Sequence, residues 1–220
     1  MKNFFSAVVA VALVLLAACT QDAYEKGEGE YSLLRADFVD MHAGSDKYVD
    51  YVVTDDGDSL AAEPPFTISW IQTADSTYRA LLYYNKREGK AEAVSIGQVL
   101  VPAIKNAGTV KGGVVTDPVY VESVWRARTG RYLNLRLRVL TGQVEDEKKA
   151  GQVFGCAGDT LVSHPDGHSA LYLRLYHSQN GEPEYYSRYV FLSVPIGGVK
   201  ADTIVMRINT YDGVVEKRFF

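Results

Sequence analysis

Four groups of residues in this sequence have types and spacings that could do chemistry. Gly57-Asp58-Ser59-Leu60 sets a serine directly after a turn. An esterase nucleophile sits in such a place, and it needs a histidine to remove the hydroxyl proton. No Asp-x-x-His sequence is present to supply that base, and Asp166-Gly167-His168 has the wrong spacing. His164 and His168 lie four apart, the helical spacing of a zinc pair, with His177 or Asp166 available as a third ligand. Pro165 and Gly167 forbid that helix, so only a loop could bring the two imidazoles together. Asp55-Asp56-Gly57-Asp58 clusters carboxylates of the kind a hard cation takes, yet it lacks the alternate acids and distal Glu of an EF-hand, and turn chemistry explains it. The fourth group is Arg136, Arg138, Tyr172, Arg174 and Tyr176, each alternating with aliphatic residues. If their two segments share a sheet, the five share one outward face on which Arg stacks on Tyr, a surface suited to a protein partner or a glycan ring. Such a face can also be a plain solvated surface or a contact with a neighbouring domain. With no complete catalytic set, the expectation is a protein that is not an enzyme and carries no cofactor or metal.

The N-terminus gives an address. Lys2 precedes an uninterrupted run of Ala, Val and Leu from Ala7 to Ala18, which has the layout of a secretory signal and is too short to span a bilayer. Leu16-Ala17-Ala18-Cys19 closes the run and resembles the lipobox of bacterial lipoproteins, so residues 1–18 read as a lipoprotein signal peptide and Cys19 as the lipidation site. Loss of those 18 residues removes a single charge, Lys2, and takes the net charge from -4 to -5. An acidic chain argues against a nucleic-acid partner, which needs a basic face. Thr20 after the cysteine favours sorting to the outer membrane, leaving the leaflet open. The second and last cysteine, Cys156, has no internal partner once Cys19 is acylated and reads as a buried free thiol.

These groups must be positioned by strands. Fifteen Tyr and eight Phe favour β structure. Residues 19–30 hold acids and glycines with little to bury and read as a flexible tether. Five segments rich in β-branched and aromatic residues follow, at 31–40, 48–54, 66–72, 78–85 and 91–101, the count of a small OB-like barrel over 31–110. The glycine-rich stretch 102–113 reads as the boundary. Beyond it, Leu133, Leu135, Leu137 and Val139 alternate with Tyr132, Asn134, Arg136 and Arg138, and Leu171, Leu173 and Leu175 do the same with Tyr172, Arg174 and Tyr176. With segments at 119–126, 186–194, 203–211 and 214–219, and Asp212-Gly213 as a hairpin turn, residues 114–220 read as an antiparallel β-sandwich. The stretch 143–159 reads as a loop or one short helix. The fold class expected is therefore all-β, a small OB-like five-stranded barrel followed by an antiparallel β-sandwich.

Leu34-Arg-Ala-Asp-Phe-Val-Asp40, Asp50-Tyr-Val-Val-Thr-Asp-Asp-Gly-Asp-Ser-Leu60, Leu171-Tyr-Leu-Arg-Leu-Tyr-His-Ser-Gln-Asn-Gly181 and Ile208-Asn-Thr-Tyr-Asp-Gly213 together resemble the NigD-like bacterial lipoproteins. The resemblance spans nearly the whole mature chain. It implies an OB-like N-terminal domain, a C-terminal β-sandwich and an association with a bacteriocin, and it brings no established activity, cofactor or catalytic residue. The reading is a lipid-anchored, non-enzymatic binding or assembly protein of the cell envelope, attached to the membrane through its N-terminal lipid, with an envelope protein or glycan as partner. Two other readings are an esterase or metal hydrolase using Ser59 or His164 and His168, and a fimbrial or surface-structure subunit.

Overall fold

Alternation of apolar and polar residues makes strands throughout, and two of these strands are buried on both faces. The computed structural model describes residues 34–143 and 151–220; the signal peptide, Cys19, the tether and the charged run 145–149 lie outside the described residues. Strands β1 (Leu34–Ala43), β2 (Val49–Thr54), β3 (Ser59–Phe66), β4 (Ser76–Arg87) and β5 (Lys90–Gln98) close into a barrel in the order β1-β2-β3-β5-β4, with β4 pairing back to β1. Only the β3–β5 pair is parallel. Val39, Met41, Val52, Leu60, Leu82 and Tyr84 fill the interior.

The third strand is not at 66–72 but at Ser59–Phe66. Glu63, Pro64 and Pro65 disguise it, since proline cannot donate to a ladder. It is tolerated because β3 meets β5 only at Ala61 and Ala62. Residues 67–72 instead leave the sheet, and Ile71 joins the barrel core.

The second half contains β6 (Ile104–Asn106), a one-turn 3-10 helix (Ala107–Thr109), β7 (Tyr120–Arg126), β8 (Tyr132–Thr141), β9 (Val153–Ser163), β10 (Ser169–Ser178), β11 (Tyr186–Pro195), β12 (Thr203–Thr210) and β13 (Gly213–Phe219). A five-stranded sheet, β13-β12-β10-β9-β6, packs on a three-stranded sheet, β11-β8-β7. Leu133, Leu135, Leu137 and Val139 of β8 meet Leu173 and Leu175 of β10 and Met206 and Ile208 of β12 in the core between them. Most pairs are antiparallel, with β10–β12 and β6–β9 parallel. Two elements lie where none was expected. β6 falls inside 102–113 and pairs with β9, and β9 itself begins inside 143–159. The glycines and alanine of Val153-Phe-Gly-Cys-Ala-Gly158 dilute its β signal.

Barrel and sandwich belong to one compact unit, residues 34–220. In β1, Phe38, Val39, Asp40 and Met41 are all buried, and in β4 so are Arg79, Ala80, Leu81 and Leu82. One side of each strand lines the barrel, and the other meets the sandwich. Phe38 packs edge-on against Trp125 and Phe191, with ring centroids 5.1 and 5.9 Å away. Beside this apolar contact lies a buried ionic cluster. The Arg79 side chain, 2% exposed, donates from Nη1 to Asp40 Oδ1 (3.2 Å), from Nη2 to both carboxylate oxygens of Asp55 (2.6 and 2.7 Å) and from Nε to Ser193 Oγ (3.0 Å). Asn134 Nδ2 donates to Asp55 Oδ2 (2.6 Å), and Arg131 Nη1 lies 2.7 Å from Asp40 Oδ2. The Arg79 guanidinium also sits 4.0 Å over the Tyr132 ring. Two cations thus face two anions, with no net charge left in the joint.

Removing one member of a buried pair strands the others, at a cost of about 3–5 kcal/mol. Arg79→Ala should lower the unfolding free energy by about that amount in denaturant titrations. Arg131→Ala, whose side chain is 42% exposed, should cost about 1 kcal/mol or less. Equal losses for the two variants would contradict this assignment.

Candidate functional site

The outer face of the three-stranded sheet is built in rows by strand register. Trp125, Asn134 and Ser193 form one row, Ser123, Arg136 and Phe191 the next, and Tyr120, Arg138 and Tyr189 the third. The barrel covers the first row through the ionic cluster and covers Phe191 through Phe38. The third row and Arg136 stay open. Arg138 lies 4.0 Å over the Tyr120 ring, and its Nε donates to Glu122 Oε1 at 3.0 Å. Tyr120 in turn stacks on Tyr211, with centroids 4.6 Å apart and planes at 25°. Arg136 lies 4.3 Å over Tyr189, which is 48% exposed, and has no carboxylate partner among the described residues. The result is a ladder of flat aromatic and guanidinium groups, braced by cation–π contacts and with few rotatable bonds to order on binding.

Of the five residues expected to share one face, only Arg136 and Arg138 lie here. Tyr172, Arg174 and Tyr176 are on β10, in the other sheet, so the two groups point away from each other. The reason is the packing itself: β8 and β10 both turn their leucines into the same core, so their polar sides face opposite directions. Alternation separates inside from outside and does not say to which sheet a strand belongs. Arg–Tyr stacking across strands does occur, with other partners. Tyr172 lies beneath Arg207 at 5.2 Å, and Arg174 is held by both oxygens of Asp159. Tyr176 lines a cleft beside Gly155.

The remaining candidates do not assemble. Ser59 opens β3 opposite Val53 and hydrogen-bonds to no histidine. His164 and His168 flank the β9–β10 hairpin turn, where the backbone N–H of His164 donates to the His168 carbonyl (2.7 Å) and Gly167 takes a φ of +88°. Among the described residues, no group of three or more His, Cys, Asp or Glu side chains is placed to hold a metal ion. The Asp55–Asp58 turn is a docking finger: Asp55 grips Arg79, and its carbonyl accepts from the Thr129 N–H (3.0 Å). Cys156 is buried and free, its thiol pushed up to about 12 by burial. The signal for this cluster is Asp40 and Arg79 set inside the otherwise apolar stretches Phe38-Val-Asp-Met41 and Tyr78-Arg-Ala-Leu-Leu82.

His177 is also structural. Its ring stacks on Phe154 at 4.8 Å, Nδ1 lies 2.9 Å from the Asp117 carbonyl and Nε2 3.3 Å from Gln152 Oε1. Burial lowers its pKa below the usual histidine value, against the opposing pull of Asp117.

A closed five-stranded barrel joined through a buried ionic cluster to a two-sheet sandwich defines an all-β barrel-and-sandwich protein. Residues 102–220 match the NigD-like C-terminal β-sandwich domain, over half of the chain, and the protein belongs to the NigD-like family. The fold is similar to the crystal structure of a NigD-like immunity protein from Bacteroides caccae ATCC 43185, at 28% identity and a TM-score of 0.66, covering 83% of this chain and 91% of that one. It is also similar to a candidate lipoprotein from Bacteroides fragilis NCTC 9343, at 16% identity and a TM-score of 0.60, covering 84% and 96%, a likeness of fold alone. No curated protein matches the chain.

The His177 environment makes a pH prediction. Because the folded pKa is depressed, the unfolded chain binds the proton more readily. The stability from this site is therefore complete above about pH 6.5 and falls as pH drops below it towards the folded value. His177→Gln should flatten the decline of unfolding free energy between roughly pH 7 and pH 5. An unchanged slope would show that His177 is not its source.

Proposed function

We propose that the protein is a lipid-anchored, non-enzymatic component of the bacterial cell envelope that binds a protein partner through the Tyr–Arg ladder on its three-stranded sheet. The observation that carries this reading is the open pair Arg136–Tyr189 beside Tyr120–Arg138. Arg and Tyr are the side chains most often found to dominate binding energy at interfaces. A guanidinium with no carboxylate partner among the described residues, braced over an exposed ring, offers a donor fork and an apolar plane at little entropic cost. The charged groups that could otherwise suggest catalysis are engaged in holding the fold: Arg79, Asp40 and Asp55 in the joint, and Arg174 with Asp159.

Membership of the NigD-like family supports a non-enzymatic envelope role, as does the likeness to the NigD-like immunity protein from Bacteroides caccae. The association with a bacteriocin that the resemblance implies makes a bacteriocin-class protein the partner of choice in this reading. Cys19 carries the lipid in this reading. Each buried methylene contributes about 0.8 kcal/mol, and more than one acyl chain makes the anchoring durable. Thr20 supports an outer-membrane destination.

Two experiments test the proposal. Cys19→Ala should move the protein from the membrane to the soluble fraction, and unchanged fractionation would remove the anchor. A benzoylphenylalanine photo-crosslinker placed at Tyr189 should capture a discrete partner in native envelopes, while the same group at Leu161, on the opposite sheet and 54% exposed, should not. Capture at Leu161 alone, or at neither position, would contradict binding through the ladder.

A further inference from the structure

The opposite outer face of the sandwich carries a second feature, which the ladder does not use. Strand register sets Gly155 of β9 across from Tyr176 of β10, and Ala157 between Arg174 of β10 and Lys105 of β6. Leu173 and Leu175 point into the core, so Gly155 and Ala157 face outward. Gly155, half-buried, and Ala157, only 1% exposed, thus lie low between larger side chains, and Gly155 opens a trough beside Tyr176. A Cβ built on Gly155 would come within 3.3 Å of the Tyr176 Cβ, so the bare glycine is what lets the tyrosine lie close while the floor stays open. Past β6, the one-turn helix carries the chain over to Val110 and Lys111, which close the far side. The cleft has a volume of about 520 Å³, within the range of small-molecule sites.

Its electrostatics are one-sided. Lys105 and Lys111 line it and, among the described residues, no carboxylate does, in a chain whose net charge is negative. Neither lysine has an ion-pair partner among the described residues, and the Tyr176 hydroxyl has no hydrogen-bond partner there. Cys156 contributes backbone to the lining, but its thiol belongs to the core and is no nucleophile.

We propose that this cleft binds an anionic amphiphile, with its charged head between Lys105 and Lys111 and its apolar body on the Gly155–Ala157 floor against Tyr176. The two ammonium groups select charge, the small-residue floor selects a chain or flat ring, and the free tyrosine hydroxyl adds a donor for the head. A carboxylate and a phosphate monoester share this chemistry. The site is separate from the ladder and does not depend on the function proposed above.

The test uses the exported chain carrying Cys19→Ala, titrated by calorimetry with decanoate, decyl phosphate, decylammonium and inorganic phosphate, while the amides of Gly155 and Ala157 are followed by NMR. One-to-one binding of decanoate, decyl phosphate or both is expected, with shifts at those amides. Lys105→Ala with Lys111→Ala should weaken it about tenfold or more, as expected for loss of charged hydrogen bonds. Both lysines are exposed, so the double variant should unfold at the wild-type midpoint, and a binding loss then reports the site. Preference for one amphiphile identifies the head group. The proposal is overturned if neither amphiphile binds, if decylammonium binds equally well, if inorganic phosphate alone matches decyl phosphate, or if the shifts fall elsewhere.

Discussion

The guanidinium of Arg79 is the point on which the arrangement of the molecule depends. It leaves the wall of the barrel and ends among Ser193, Asn134 and Tyr132 of the sandwich, with Asp40 and Asp55 of the barrel closing around it. Burying such ions costs several kcal/mol each, and their mutual attraction largely offsets that cost without producing a surplus. Apolar burial of Phe38, Leu81 and Val99 against Trp125 and Phe191 supplies the adhesion. The ionic cluster supplies direction. A greasy patch tolerates sliding, whereas a planar fork that must meet two carboxylates, a hydroxyl and an amide has one solution.

That solution decides which parts of the surface remain available. The same outward face of β8 runs from Tyr132 and Asn134, under the barrel, to Arg136 and Arg138, in the open. Its chemistry changes from joint to exposed ladder over four residues because the barrel ends there. The Leu100 backbone reinforces this edge by exchanging hydrogen bonds with Phe191 and Ser193 (2.9 and 2.8 Å), which extends the sandwich with a residue from the barrel's own exit.

What was legible in the sequence followed from physical locality. The alternation of Leu133 to Val139 and of Leu171 to Leu175 determines which side chains are inside, and all of these are buried on that side except Leu171, which is partly buried against the same core. The Asp212-Gly213 hairpin also formed, with Gly213 at a φ of +112°. β3 escaped because its prolines argue locally against a strand, while its place is set by partners far away in the chain. β9 escaped because glycine and alanine carry little β preference, and the same small side chains open the cleft beside Tyr176. Lys105 and Lys111 were hidden for a related reason: a short glycine-rich stretch read as a boundary supplies one strand and one wall. Sheet membership, which separated Arg136 and Arg138 from Tyr172, Arg174 and Tyr176, is a property of topology that no local pattern encodes.

If the Arg79 cluster unites barrel and sandwich, the two halves must lose structure together. The most direct measurement is equilibrium urea unfolding followed residue by residue by NMR, comparing amides in the barrel interior, such as Met41 and Leu82, with amides in the sandwich core, such as Leu135 and Met206. One shared midpoint and one shared slope are the predicted result, the signature of a single cooperative transition. A barrel that melts at a separate midpoint while the sandwich amides remain intact would contradict the account.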